Sequence, residues 1–394
     1  MNNVNYTIFN EEKMSSIMET GIEGQFEWSD AQNINASNGK IGEVQLGYII
    51  SFTIAFFLIG IIGIVGNILV IFVIFHDKKM RKSLTNMLIV NLAVADSIIM
   101  IFGIPEIVQF MLDRGWILGE AMCKIQRSVL VMSLYVSVLT LVALCIERYI
   151  AIVFPLKAHI LCTRRHTMVT MVIVWFVAVG FGLPTTIFVT VVPVGINASL
   201  CFCRLVFPEA EPNKDMFFTF KYVESVIFYF LPLLIQLLCY VIIGKHLFLS
   251  VEALQSNLTN KGHARDDNGR LREAIKTRRG VVKMLIASVT IYFLSYSPHQ
   301  ILLIYDTVSD VPFSGTWVFV VFVTILAYVN SAANPVIYCI FSQNFRKNFA
   351  TIIFCRYYKH NGNNHNNVAS LNSEYTILLQ RRSTPRAQYG VNAV

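Results

Sequence analysis

From Val44 to Phe75 the chain reads VQLGYIISFTIAFFLIGIIGIVGNILVIFVIF, without a single Asp, Glu, Lys or Arg. The hydrocarbon core of a bilayer is about 30 Å thick and is crossed by roughly 20 apolar residues in helical form. A helix is required because lipid offers the backbone no hydrogen-bond partner. The stretch therefore predicts a membrane-spanning helix. Ser128–Ile146, Ser225–Gly244 and Met284–Tyr305 are equally free of these four charged residue types. Seven apolar runs emerge, at about 45–75, 84–111, 122–148, 167–190, 219–246, 281–305 and 315–341. The expected fold is all-α, a seven-helix transmembrane bundle.

Composition agrees. Hydrophobic residues make up 55% of the 394 residues and charged ones 14%, against about 25% charged in a soluble domain. Mean hydropathy is +0.57. The net charge of +8 does not point to nucleic acid, because the basic residues flank the apolar runs. Lys78, Lys79, Arg81 and Lys82 follow the first run, Lys157, Arg164 and Arg165 the third, and Arg346, Lys347 and Arg356 the seventh. The segment between the fifth and sixth holds Lys245, Lys261, Arg265, Arg270, Arg272, Lys276, Arg278, Arg279 and Lys283. The alternate loops carry Asp113, Glu120, Glu209, Glu211, Asp306 and Asp310. Basic loops stay in the cytosol, which predicts a multi-pass membrane protein with its N-terminus outside and its C-terminus inside.

The ends of the chain read differently. Residues 1–44 are polar and acidic and are expected to be an extracellular tail with no cleavable leader, the first run itself directing insertion. Asn5, Asn35 and Asn197 begin N-x-S/T triplets on the outer side, where glycosylation is possible. Residues 45–341 form the membrane domain. In 342–355, Phe341, Phe345, Phe349 and Ile352 recur at helical spacing, which predicts an amphipathic helix in the inner interface. Cys355 at its end is a candidate for palmitoylation. Residues 356–394 are Asn-rich and polar, as in a disordered cytoplasmic tail. Eight cysteines, several deep in apolar runs, do not make a disulfide framework.

Ionisable groups inside a span are costly and mark functional positions. Asp96 lies midway along the second run and must face the bundle interior. Asn67, Ser137, Asn330, Ser331 and Asn334 are polar partners in other runs. Such a network serves a structural role or lines a path equally well. Glu106, Lys221, Glu224, His299 and Gln300 lie toward the outer ends of their runs and are candidates for an outward-facing cavity.

The motifs, taken in chain order, resemble the rhodopsin-like (class A) G-protein-coupled receptors over about residues 45–355. Gly66-Asn67-Ile68-Leu69-Val70 stands in the first run, Leu92-Ala93-Val94-Ala95-Asp96 in the second and Glu147-Arg148-Tyr149 at the end of the third. Trp175 follows in the fourth, Pro232 and Tyr240 in the fifth, Pro298 in the sixth and Asn330-Ser331-Ala332-Ala333-Asn334-Pro335-Val336-Ile337-Tyr338 in the seventh. The resemblance implies a receptor that is not an enzyme and whose partners are a heterotrimeric G protein, arrestin and receptor kinases, in a lipid bilayer. It implies that Glu147, Arg148, Tyr149, Tyr240, Asn334, Pro335 and Tyr338 carry switching and coupling. Asp96, Ser137, Asn330 and Asn334 match the family's allosteric sodium pocket; no other cofactor is implied. Cys123 would pair with a cysteine of the second outer loop. Cys203 is favoured because Cys203-Arg204-Leu205-Val206-Phe207-Pro208 looks like a C-x-x-x-W/F-P pattern, with Cys201 the alternative.

Two positions depart from the family. The sixth run reads Ser295-Tyr296-Ser297-Pro298, without the usual tryptophan. Arg278 stands where some members carry an acid that clamps the arginine matched by Arg148. For the ligand, Leu130 replaces the aspartate of amine receptors and Tyr328 the lysine of opsins. The resemblance to orexin-type and thyrotropin-releasing-hormone-type receptors implies a neuropeptide ligand. The pocket expected for it comprises Glu106, Gln109, Gln126, Arg127, Leu130, Lys221, Glu224, Tyr296, His299 and Gln300, with Tyr305, Thr324 and Tyr328. A lipid or small-molecule receptor is the first alternative. A transporter is the second, although no repeat between halves is visible.

Overall fold

The computed structural model describes residues 39–111, 115–194, 200–207, 214–260, 265–308, 317–342 and 345–352. Asn5, Asn35, Asn197, Cys355 and the tail from 356 lie outside the described residues, as do the side chains of Glu106, Gln109 and Arg278.

The element order is α1 (Gly39–His76), α2 (Lys78–Lys82), α3 (Leu84–Met111), α4 (Gly119–Val153), α5 (Pro155–Leu161), α6 (Arg164–Phe188), β1 (Val189–Val194) and β2 (Leu200–Leu205). Then come α7 (Lys214–Ser225), a π-helical turn (Val226–Phe230), α8 (Leu231–Asn260), α9 (Arg265–Val308) and α10 (Trp317–Phe341). A last short helix, α11, covers residues 345–352. Among the described residues, seven helical segments are long and apolar enough to cross a membrane. They are α1, α3, α4, α6, the α7–α8 pair, α9 and α10. The chain is a multi-pass membrane protein with a seven-helix bundle.

Three local features stand out beside the seven spans. The first helix begins at Gly39, inside the segment read as an extracellular tail to residue 44. The helices of the fifth and sixth spans run on to Asn260 and from Arg265, so most of the basic loop between them is helical. That segment is rich in Leu, Ala, Glu, Lys and Arg, strong helix formers even without lipid. A two-stranded hairpin accompanies the all-α bundle. Val189-Thr190-Val191-Val192-Pro193-Val194 is dominated by β-branched residues, which favour a strand. It pairs antiparallel with Leu200–Leu205, placing Val191 opposite Cys203 and Pro193 opposite Cys201.

The helices bury their polar groups against one another and turn their apolar faces outward. Ile54, Phe57, Val65 and Phe72 of α1 are exposed, as are Val172 and Phe176 of α6. In lipid such a surface has no cost, whereas an unpaired hydroxyl does. Ser51, Thr53, Ser97, Ser128, Thr140, Ser225, Ser288 and Thr290 each donate to the carbonyl four residues back. Asn91 ties three spans together: its Nδ2 donates to Thr140 Oγ1 at 2.8 Å and its Oδ1 accepts from Trp175 Nε1 at 2.9 Å.

Small residues bring helices close. A Cβ on Gly66 of α1 would stand 2.9 Å from Cβ of Pro335 in α10, and one on Gly103 of α3 would strike the Tyr328 ring of α10. The fifth span has a different device. Pro232 has no N–H, so the carbonyl four residues earlier, that of Phe228, loses its helical donor. Tyr292 of α9 supplies one, its OH donating to Phe228 O at 2.5 Å. The π-turn lies at this point, as such turns do where a regular ladder is interrupted.

Candidate functional site

A cavity of about 190 Å³ opens between α4, the α7–π–α8 segment, α9 and the β1–β2 hairpin. Its walls include Arg127, Val131, Tyr135 and Val138 of α4, and Lys221, Glu224 and Ser225 of α7. Phe228 and Tyr229 of the π-turn, Tyr292, Tyr296, His299 and Gln300 of α9, and Cys203, Arg204 and Leu205 of β2 complete them. Thus Arg127, Lys221, Glu224, Tyr296, His299 and Gln300, all expected at a pocket, come together here.

Glu224 organises the polar side. Its Oε2 pairs with Lys221 Nζ at 3.0 Å, one helical turn away, and its Oε1 accepts from Tyr135 OH at 2.7 Å. Carboxylate and ammonium are each about four-fifths buried, at 19% and 20% exposure. The opposite side is aromatic. Tyr135 stacks on Phe228 with ring centres 3.7 Å apart, and Phe181 meets Phe228 edge-on at 5.3 Å. Tyr292 and Tyr296 lie 5.0 Å apart, and Tyr229 OH shares a hydrogen bond of 2.7 Å with Ser297 Oγ. The side-chain oxygen of Gln300 is a buried acceptor with no protein partner. A cavity so lined offers aromatic faces, fixed charges and an open acceptor to a ligand that carries both rings and amides.

The hairpin roofs the cavity. Cys123, at the start of α4, is bonded to Cys203 of β2, with Cα atoms 5.6 Å apart. Arg127 Nη2 donates to the Cys203 carbonyl at 3.3 Å. Cys123 and Cys203 pack with Trp116 and Val189 in a small apolar cluster.

Other expected residues are placed elsewhere. Gln126 is fully buried against α3, its Nε2 donating to Phe102 O at 3.1 Å. Tyr328 packs edge-on against Phe56 at 5.9 Å and against Gly103, so it serves the contact between α10, α1 and α3. Leu130, Tyr305 and Thr324 do not line this cavity. Tyr135, Tyr229 and Tyr292 do line it and were not anticipated. Tyrosines in apolar runs are ordinary, and only the pairing of Tyr135 with an intramembrane glutamate gives it away.

Deeper in the bundle, Asp96 is wholly buried. Ser137 Oγ donates to its Oδ1 at 3.0 Å and Asn334 Nδ2 to its Oδ2 at 2.7 Å. Asn67 Nδ2 donates to the carbonyls of Gly63 and Ser331. Asn330 and Ser331 of α10 are buried as well. Among the described residues no group of three or more His, Cys, Asp or Glu side chains gathers as a metal site.

At the far end of α4, Arg148 is held by its neighbour and by α3. Its Nε donates to Glu147 Oε2 at 2.6 Å, and its Nη2 reaches both Glu147 Oε1 and Thr85 Oγ1. Thr85 Oγ1 in turn contacts the Glu147 carboxylate at 3.1 and 3.2 Å. Tyr149 and Tyr240 pack together against Ile152, Ile243, Leu247 and Val282. Tyr338 is buried and stacks on Phe345 at 5.4 Å. Cys162, in the turn after α5, has its thiol pushed above its ordinary pKa by burial and then by Glu147, partly offset by Arg148. Of the expected coupling residues, Glu147, Arg148, Tyr149 and Tyr240 lie at this end of α4 and α8, whereas Asn334 sits on Asp96 and Pro335 against Gly66.

The family model of the 7 transmembrane receptor (rhodopsin family) matches residues 66–338. Neuropeptide receptor 15 of Caenorhabditis elegans is 34% identical over 311 residues, 76% of this chain and 89% of that relative. Galanin receptor 2b of Danio rerio is 29% identical over 304 residues, 77% of this chain and 75% of its own. The thyrotropin-releasing hormone receptor of Gallus gallus is 29% identical over 316 residues, 75% and 76% respectively. The matched segment holds the buried Asp96, the Arg148 clamp and the whole cavity wall, and with them the chain belongs to the rhodopsin family of seven-transmembrane receptors.

Proposed function

We propose that this chain is a cell-surface receptor activated by an extracellular peptide and coupled to a heterotrimeric G protein. The carrying observation is that one helix, α4, furnishes both a cavity wall, with Arg127 and Tyr135, and the clamped Arg148 at its other end. A ligand that binds one packing of α4 and its neighbours better than another shifts the population between them, and the Arg148 end changes with it. The peptide class rests on the mixed aromatic and charged cavity and on relatives named for neuropeptides, galanin and thyrotropin-releasing hormone. In this reading the cavity and the N-terminus face outward at the plasma membrane, and the basic Arg148 end faces the cytosol, where arrestin and receptor kinases also act. Asp96, with Ser137, Asn330 and Asn334, would hold an allosteric sodium ion. A carboxylate beside hydroxyl and amide oxygens suits a hard cation.

The test is a calcium and cyclic-AMP response in cells expressing the full chain, screened against a neuropeptide library, with Arg148→Ala as control. A peptide response that disappears in the mutant at equal surface level is the expected result. Silence to every peptide at good surface expression would overturn the peptide assignment and favour a lipid or small-molecule ligand.

A further inference from the structure

Strand β2 carries two cysteines, and the structure uses one. Cys203 is bonded to Cys123, while Cys201 keeps a free, partly buried thiol. The two stand two positions apart, so their side chains share a face of the strand. The Cys201 main chain reaches the same cluster by another route, its carbonyl accepting from Trp116 N–H at 2.5 Å, and Trp116 packs with Cys123 and Cys203. A disulfide persists only in an oxidising compartment, so a third sulfur at this end of the bundle is exposed to thiol–disulfide chemistry.

The register makes a second pairing accessible. A slide of one residue along β1 would turn every β2 side chain to the wrong face, whereas a slide of two restores each face. At present Val194 pairs with Leu200, which leaves residues 195–199 as the connection. A slide of two would put Cys201 opposite Val191, where Cys203 now stands.

We infer that Cys201 is an alternative partner for Cys123, and that the hairpin exchanges between two disulfide registers. The Cys201 thiolate attacks Sγ of Cys123. The Cys123–Cys203 bond breaks as Cys123–Cys201 forms, and Cys203 leaves as a thiolate that takes up the proton given to solvent by Cys201. One thiol and one disulfide stand on each side, so no oxidant is consumed. Small thiols outside the cell catalyse the same change through mixed disulfides. The slide carries Arg204 and Leu205, both in the cavity wall, by about 6.6 Å, two strand residues. It also hands the Arg127 hydrogen bond from the Cys203 carbonyl to that of Cys201. Each register therefore presents a different cavity roof.

The test expresses the full chain as wild type, Cys203→Ser, Cys201→Ser and the double variant. Intact cells are alkylated with a membrane-impermeant maleimide, and the linkages are read by non-reducing peptide mapping. The expected result is a Cys123–Cys201 peptide in Cys203→Ser at a surface level close to wild type, a Cys123–Cys203 peptide in Cys201→Ser, and an alkylated Cys123 in the double variant. Brief exposure of wild type to extracellular glutathione should yield both linkages. Failure of Cys203→Ser to reach the surface, or a Cys203→Ser protein with Cys123 alkylated, would overturn the alternative pairing. Wild type that shows only Cys123–Cys203 after glutathione would overturn the exchange. None of these readouts needs an agonist, so they stand apart from the test of peptide activation.

Discussion

Glu224 divides its two oxygens between Tyr135 and Lys221, and the two partners are not equivalent. Lys221 comes from the same helix and arrives with helical spacing alone, whereas Tyr135 crosses from α4 and fixes the distance between spans. Hydrogen bonds to charged groups contribute about 1.5–3 kcal/mol. Since the carboxylate is 19% exposed, Tyr135→Phe should cost near the lower end, and thermal inactivation of the solubilised receptor should move to lower temperature. Gly103→Ala is a second case. Its Cβ would overlap the Tyr328 ring, and overpacking costs roughly 1–3 kcal/mol. Tyr328→Ala in the same chain should recover part of that loss, as a coupled pair requires; additive losses would refute the contact. Glu224, Lys221 and His299 were legible in the sequence because ionisable residues stand out in apolar runs. Tyr135 was not, since a tyrosine in a third span carries no mark of what it faces. Tyr328 was misplaced for a related reason: helical position says which turn a residue occupies, but not which neighbour fills the space beside it.

In the fifth span the decisive unit is a proline, a π-turn and a tyrosine from another helix. With Pro232 in place, Tyr292→Phe leaves the Phe228 carbonyl buried without its donor, at a cost of about 1–3 kcal/mol. Pro232→Ala restores an N–H and should make the same substitution less costly. A double-mutant cycle on thermostability measures this, and a coupling near zero would show that Tyr292 is not the carbonyl's replacement donor. Pro232 was plain in the sequence, but its consequence four residues earlier depended on α9 presenting Tyr292 at that height. Span count and order were legible because hydrophobic length is a one-dimensional property. Helix ends were less so, since Lys, Glu and Ala continue a helix into water without an apolar signal. The hairpin was overlooked because Val189–Val194 continues the apolar character of α6, and only its β-branched run distinguishes it.

Across the whole molecule, the clamp on Arg148 closes within α3 and α4. Thr85→Val keeps the shape and removes the hydroxyl that bridges Arg148 and Glu147. Losing about 1 kcal/mol of resting-state hydrogen bonding shifts the equilibrium about fivefold, so basal second-messenger output should rise at constant surface level; an unchanged baseline would mean that the clamp does not set the resting state. The motifs at this end were readable residue by residue, but Thr85 belonged to none of them. The roof over the opposite end has a consequence in time. Cys203, Arg204 and Leu205 cover the cavity on a strand fastened at Cys123. A fastened cover obstructs entry and departure alike, so it lengthens occupancy without deepening it. Leu205→Ala should therefore speed both association and wash-out of a labelled agonist by similar factors, with Kd little changed. Most interface changes act on departure alone; here residence time, and with it the duration of each signal, would be set by a strand that adds little to the strength of binding.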